Sequence, residues 1–294
     1  MKPKVLFVVL GFSIGGIETY LNRFLKYSIG RFTSATVLSK SGQSGFYEKS
    51  YKKSNADITL LRMGYFSFLN WIKFYSYLKK NKFDVICDFT GLFSGIPLFI
   101  SKLARVPKRI VFYRGSVHQW PQTFLRKLYA RVIDRLLLYS ATRILANSKA
   151  ALDNFYPKRD KNNPKYKVIY NGISFQKYED SNYEASKLRA QLNIPESSFV
   201  IGHVGRYAKP KNHDVICEVG KKILASRSDI YFLLIGRDVE KNLGVRLNAY
   251  GIKKQFIMPG ECKPIEPYLK IMNAFIFPSL NEGQPNALLE AMIQ

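Results

Sequence analysis

The feature that most constrains this chain is a recurring unit: a short apolar run rich in β-branched residues, a turn, then a longer segment with apolar residues at three- and four-residue spacing. An unbroken apolar run suits a strand buried in a sheet, and the 3.6 period suits a helix laid upon it. Alternation of the two predicts βα units around a parallel sheet. The first half offers strands near 4–10, 33–38, 57–61, 84–88, 109–113, 143–147 and 167–170, with helices between them, clearest at 17–29, 67–81 and 120–140. After Asn171-Gly172-Ile173 the pattern lapses into a polar stretch, Gln176 to Ser186, and a second series opens with strands near 199–204, 230–235, 255–258 and 274–278. Each half begins with an apolar strand running into a glycine turn, Val5–Gly16 and Val200–Gly205. The expectation is an α/β fold of two Rossmann-like domains, residues 1–175 and 176–294. Length agrees, since 294 residues is long for one hydrophobic core.

Charge divides the halves. The net charge is +25, and residues 1–175 hold 30 Lys and Arg against 8 Asp and Glu, while residues 176–294 hold 16 against 13. Such asymmetry points to an anionic partner for the first domain, a phospholipid surface or nucleic acid, with a merely solvated basic face as the alternative. Nucleic acid is disfavoured because no nucleic-acid motif or aromatic stacking platform accompanies the charge. Cys87, Cys217 and Cys262 are few, odd in number and far apart, which fits neither a disulfide framework nor a zinc site and implies a reducing cytoplasm. Met1-Lys-Pro-Lys followed by Val5 to Leu10 has the outline of a signal peptide, but the apolar run is short and no small-residue cleavage site follows, so it reads as a first strand. Phe89 to Ile100, the longest other apolar stretch, falls short of the roughly 18–20 residues that span a bilayer, so any membrane contact is peripheral.

Three loops carry candidate chemistry. Gly11 to Glu18 joins the first strand to the first helix; its glycines permit close backbone approach to a phosphate at a helix start, and a tight βα turn explains them equally well. Gly205-Arg206 through Lys211 also follows an apolar strand, where a guanidinium and an ammonium can neutralise a diphosphate leaving group; a solvated basic turn is the alternative. The third runs from Phe277 to Met292, with Glu282 in a loop, Pro285 at the first helical turn, and Glu290 about a turn and a half into the helix. Two carboxylates so placed can face one pocket and accept hydrogen bonds from sugar hydroxyls, and an ordinary acidic helix start gives the same residues.

The run Pro278 to Met292 resembles the E-x7-E signature of the retaining glycosyltransferases of family 4. Gly205-Arg206 with Lys211 resembles that family's G-R-x-x-x-x-K loop, Val168-Ile-Tyr-Asn171-Gly172-Ile173 its V-I-x-N-G-I, Ala146-Asn147-Ser148 its A-N-S, and Gly15-Gly16-Ile17-Glu18 its G-G-x-E. The likeness covers the whole chain in order. It implies a GT-B architecture, two Rossmann-like domains facing across a cleft, with the first taking the acceptor and the second the nucleotide sugar. It further implies retention of anomeric configuration, no metal and no cofactor beyond the nucleotide-diphosphate sugar, a UDP-sugar being favoured. Arg206 and Lys211 would then meet the diphosphate, Glu282 the transferred hexose and Glu290 the ribose. Gly15, Gly16, Gly205 and the amides of Asn286, Ala287 and Leu288 would approach the phosphates.

Many relatives carry a sugar-facing histidine after the fifth strand; here the stretch reads Tyr113-Arg114-Gly115-Ser116, and His118 is the catalytic candidate, with a surface imidazole as the alternative. The chain ends at Gln294 inside an amphipathic helix expected to begin at Pro285, with no glycine cap, so the second domain is expected to be incomplete. The resulting expectation is a hexosyltransferase of bacterial envelope glycan synthesis, working on a glycan or lipid-linked acceptor at the cytoplasmic face of an anionic membrane. Segments Phe66–Phe83 and Trp120–Tyr139 are placed to lie on headgroups unless they are ordinary core helices. A sugar-nucleotide epimerase and a basic nucleic-acid-binding module are the competing readings, the first opposed by the E-x7-E run and the G-R-x-x-x-x-K loop, the second by the lack of a nucleic-acid motif or stacking platform.

Overall fold

The computed structural model describes residues 1–64, 67–115, 123–173 and 185–294, and they form two compact units, Met1–Asn171 and Gly172–Gln294. In the first unit β1 (Lys4–Val9), α1 (Gly16–Tyr27), β2 (Ser34–Ser39), α2 (Glu48–Lys53), β3 (Ala56–Leu60), α3 (Phe68–Asn81) and β4 (Val85–Asp88) follow in order. Then come α4 (Gly95–Leu103), β5 (Lys108–Tyr113), α5 (Phe124–Ser140), β6 (Arg143–Ala146), α6 (Lys149–Phe155) and β7 (Tyr166–Val168). The seven strands are parallel in the order β3-β2-β1-β4-β5-β6-β7.

The apolar run at the start is a central strand, as its composition requires. Leu6 and Val8 of β1 enter one core with Phe74, Leu98 and Leu137, while Val5, Phe7 and Val9 enter another with Leu21, Leu25 and Tyr51. Alternation thus feeds both faces of the sheet, and each fully buried Leu or Phe contributes about 1.5–3 kcal/mol. Helices α1 and α2 cover one face and α3 to α6 the other, so the winding reverses between β1 and β4. Ligands of open parallel sheets bind beyond the carboxyl ends of strands at such a switch point. The segment Phe89 to Ile100 forms a 3-10 turn, Gly91–Ser94, and most of α4.

The second unit comprises α7 (Ala185–Gln191), β8 (Phe199–Val204), α8 (His213–Leu224), β9 (Ile230–Ile235), α9 (Val239–Ala249), β10 (Phe256–Gly260), α10 (Glu266–Lys270), β11 (Ala274–Phe275) and α11 (Asn286–Ile293). Its parallel sheet has the order β10-β9-β8-β11, matching the first four strands of the other unit. Ile230, Phe232 and Leu234 of β9 pack with α8 and α9 on one face, and Leu233 and Ile235 pack with Ile194 and Ile271 on the other. The switch point here lies between β8 and β11.

Two details differ from the sequence reading. The strand expected over 274–278 pairs only through Phe275: Ile276 N–H still donates to Gly202 O, but its carbonyl turns to the His203 ring at 2.9 Å and leaves the ladder. Pro285 precedes α11 as its extended N-cap residue rather than forming its first turn, because φ −75° with ψ 124° is the conformation that leads into a helix.

Candidate active site

The two loops leaving β8 and β11 are stitched together at the second unit's switch point. After β8, Gly205 N–H donates to Ile235 O at 2.8 Å and Tyr207 N–H to Arg237 O at 2.9 Å, which holds this loop against the end of β9. A 3-10 turn, Lys209–Lys211, and a left-handed Asn212 then lead into α8. Across from it, Leu280 N–H donates to Pro210 O at 2.9 Å, and Asn212 Nδ2 donates to Pro278 O at 3.2 Å.

Within this frame Lys211 Nζ stands 2.7 Å from Glu282 Oε1 and 5.6 Å from the centroid of the Phe277 ring. The basic loop and the acidic loop are therefore brought into direct contact. Arg206 is exposed at the start of its loop, and Gly205 packs so close to Lys211 that an added Cβ would come within 3.2 Å of its Cδ and Cε. Asn286, Ala287 and Leu288 form the first turn of α11, whose N–H groups have no preceding helical carbonyl, and Glu290 lies in the next turn, buried.

His203 and His213 support this end of the sheet and were not singled out by sequence reasoning. Their rings meet edge to face at 4.9 Å, and the Nδ1 of His203 donates to Ile276 O. Burial depresses His203 to about 4 and also lowers His213, so both are neutral at physiological pH. Gly236, after β9, is a second unread element: a Cβ there would overlap the Gly205 carbonyl and come within 2.8 Å of Arg206 N. A glycine directly after an apolar strand was the available signal.

In the first unit Gly15 is the N-cap of α1, extended and without a side-chain cap, and the Glu18 carboxylate folds back against it. Burial raises the pKa of Glu18, partly opposed by a hydrogen bond from its own backbone N–H. Gly16 is the first residue of the helix. His118 lies outside the described residues. Arg114, which follows β5, stacks its guanidinium 3.7 Å from the centroid of the Tyr20 ring. At the carboxyl ends of β2 and β4, buried Lys40 donates to Thr90 Oγ1 and Phe93 O, both at 2.9 Å, and stands 3.9 Å from Asp88. Among the described residues no group of three or more His, Cys, Asp or Glu side chains is arranged to hold a metal ion, and no helix is long and apolar enough to cross a membrane.

Two family sequence models match the chain, "Glycosyltransferase Family 4" over residues 14–177 and "Glycosyl transferases group 1" over residues 184–294. The capsular polysaccharide biosynthesis glycosyltransferase CapH of Staphylococcus aureus is 30% identical over 98% of this chain and 78% of its own length. An Escherichia coli UDP-Gal:alpha-D-GlcNAc-diphosphoundecaprenol alpha-1,3-galactosyltransferase is 26% identical over 75% of this chain and 58% of its own. Among solved structures, Anabaena HepE in complex with UDP-glucose superposes with a TM-score of 0.80 at 22% identity, over 99% of this chain and 78% of that one; at this identity the likeness is one of fold.

Proposed function

This chain belongs to glycosyltransferase family 4, and from that premise we propose that it is a retaining, metal-independent hexosyltransferase taking its sugar from a UDP-sugar for a bacterial envelope polysaccharide. The second unit holds the donor. Arg206 and Lys211 meet the diphosphate, Glu282 accepts hydrogen bonds from hydroxyls of the transferred sugar, and Glu290 accepts them from the ribose. The N–H groups of Asn286, Ala287 and Leu288 and the positive end of α11 meet the phosphates. As the bond between the anomeric carbon and the phosphate oxygen breaks, UDP leaves with its growing charge held by these fixed donors, and the acceptor hydroxyl oxygen bonds to the anomeric carbon with the configuration kept, its proton passing to the departing diphosphate. In the first unit, which takes the acceptor, Gly16 leaves open space at the start of α1 for a phosphate to approach, while the room at Gly15 is taken by the Glu18 carboxylate.

The observation that carries this reading is the Lys211–Glu282 pair at 2.7 Å, which joins the two sequence motifs at the switch point of the sheet. Membrane attachment is part of the proposal. Helix α5 buries Ile133 and Leu137 but exposes Phe124, Leu128, Val132 and Tyr139 beside Lys127, Arg131 and Arg135, and α3 exposes Phe68, Leu69 and Ile72 near Lys73. Apolar and basic side chains so interleaved suit an anionic headgroup layer at the cytoplasmic face.

Calorimetric titration of UDP and GDP into the protein, and into Arg206→Ala and Glu290→Ala, tests the donor site. The expected result is UDP binding weakened at least tenfold in both variants; a folded protein that binds neither nucleotide overturns the assignment. Equal affinity for vesicles with and without anionic lipid removes the membrane part.

A further inference from the structure

Arg114 directly follows Tyr113, the last residue of β5, at the carboxyl end of the first unit's parallel strands, the end where ligands of such folds bind. Its guanidinium lies 3.7 Å from the Tyr20 ring centroid and 5.1 Å from that of Phe112, so aromatic faces hold it from two sides. Its Nε and Nη1 are shut off from solvent and meet no acceptor. The groups that act on it electrostatically are Tyr20 and Cys87, and burial pushes both the phenol and the thiol above their ordinary pKa, so both are neutral. Burial lowers Arg114 itself to about 10, which leaves it charged at neutral pH.

The result is a half-buried cation with no counter-anion among the described residues. The same chain shows what a structural arginine looks like. Arg189 donates from Nη1 to the carbonyls of Pro195, Glu196 and Ser198 and from Nη2 to that of Ile271. Arg114 has no such set. A guanidinium deprived of water and acceptors is costly, and an oxyanion held beside it relieves the cost. A planar fork matches phosphate in a way that an ammonium does not.

We propose that Arg114 is the anion-recognition residue of the acceptor site, its guanidinium charge drawing in the diphosphate of a lipid-linked acceptor. The proposal rests on the reading of the first unit as acceptor-binding. It places the recognised charge next to α1 and in the half of the chain where Lys and Arg outnumber Asp and Glu by 30 to 8.

The probe is geranyl diphosphate, a short polyprenyl diphosphate, titrated into the full chain and into Arg114→Gln and Arg114→Lys, with UDP titrated in parallel. The expected result is geranyl diphosphate affinity at least tenfold weaker in Arg114→Gln and only partly restored in Arg114→Lys, unchanged UDP affinity, and competition by inorganic pyrophosphate but not by geraniol. The melting temperature of Arg114→Gln should equal or exceed that of the parent, since an uncompensated cation has been removed; a structural arginine would lower it. Undiminished geranyl diphosphate binding by Arg114→Gln overturns the proposal, as does a variant that loses UDP instead, which would assign the anion to the donor. Should Arg114→Gln fail to fold, the role is structural, and Arg114→Lys with the pyrophosphate competition in the parent still decides the ligand. Absence of UDP binding in the parent sinks the transferase reading in its own arm, separately from the geranyl diphosphate arm.

Discussion

Lys211 and Glu282 form an ion pair of 2.7 Å between the loop after β8 and the loop after β11, both side chains mostly shielded from solvent. Each supplies the other's counter-charge before a donor arrives. Under the proposed donor assignment, a diphosphate entering this loop would compete with Glu282 for the same ammonium, and release of Glu282 would coincide with arrival of the sugar whose hydroxyls donate to it.

That exchange separates the two residues kinetically. Lys211→Ala should weaken UDP binding about tenfold, or ~1.4 kcal/mol. Glu282→Gln should leave UDP affinity unchanged or tighter, because Lys211 is freed, while the transfer rate falls about 100-fold through loss of a charged contact to the reacting sugar. UDP titration beside a transfer assay measures both. If Glu282→Gln lost UDP binding to the same extent as Lys211→Ala, the pair would be a structural clasp.

Gly236 sets the spacing between the end of β9 and the Arg206 loop. Its added Cβ would overlap the carbonyl of Gly205, and backbone rather than a flexible side chain stands in the way. Gly236→Ala should therefore displace the loop, destabilise the second unit by about 2–3 kcal/mol and weaken UDP binding at least tenfold. Urea denaturation and calorimetry read the two effects; a variant with parental stability and affinity would show that the loop relaxes without consequence.

His203 makes the second unit sensitive to acid. Burial depresses its pKa from 6.5 to about 4, so the unfolded chain binds the proton first. The associated stability is fully present above pH 6.5 and is lost as pH falls toward 4, amounting to about 3 kcal/mol over that window. The lowered pKa of His213 adds a slope of the same sign. Unfolding free energies measured between pH 7 and 4 should decline, and His203→Gln, whose amide can still donate to Ile276, should flatten the decline. An unchanged slope in that variant would place the acid sensitivity elsewhere.

Much of this was legible because the signals are local. The βα alternation located the strands of both units, since each strand carries its own apolar run, and the E-x7-E motif is contiguous in one loop and helix. The pairing of Glu282 with Lys211 is different in kind: it depends on β11 lying beside β8, which sequence spacing does not state. The isolation of Arg114 was equally hidden, because Tyr20, Cys87 and Phe112 come from a helix and two strands and converge only in the folded sheet. The early end of β11 escaped notice for a similar reason, as the imidazole that captures Ile276 O belongs to the neighbouring strand.

Arg189 provides the stability control for the arginine at the other sheet. It is 8% exposed, and besides its carbonyl acceptors its Nη2 lies 3.3 Å from Asn273 Oδ1, which also accepts from Val200 N–H at 2.8 Å. One guanidinium thus ties α7, the start of β8 and the turn after α10 together. Arg189→Met keeps most of the volume but leaves several buried carbonyls without a donor, and it should destabilise the second unit by about 3–5 kcal/mol. Arg189→Lys keeps the charge yet cannot reach acceptors on both sides, so it should recover only part of that loss. Denaturant midpoints of the two variants check the order; a loss below about 1 kcal/mol for Arg189→Met would mean that water replaces the guanidinium and that the clamp contributes little.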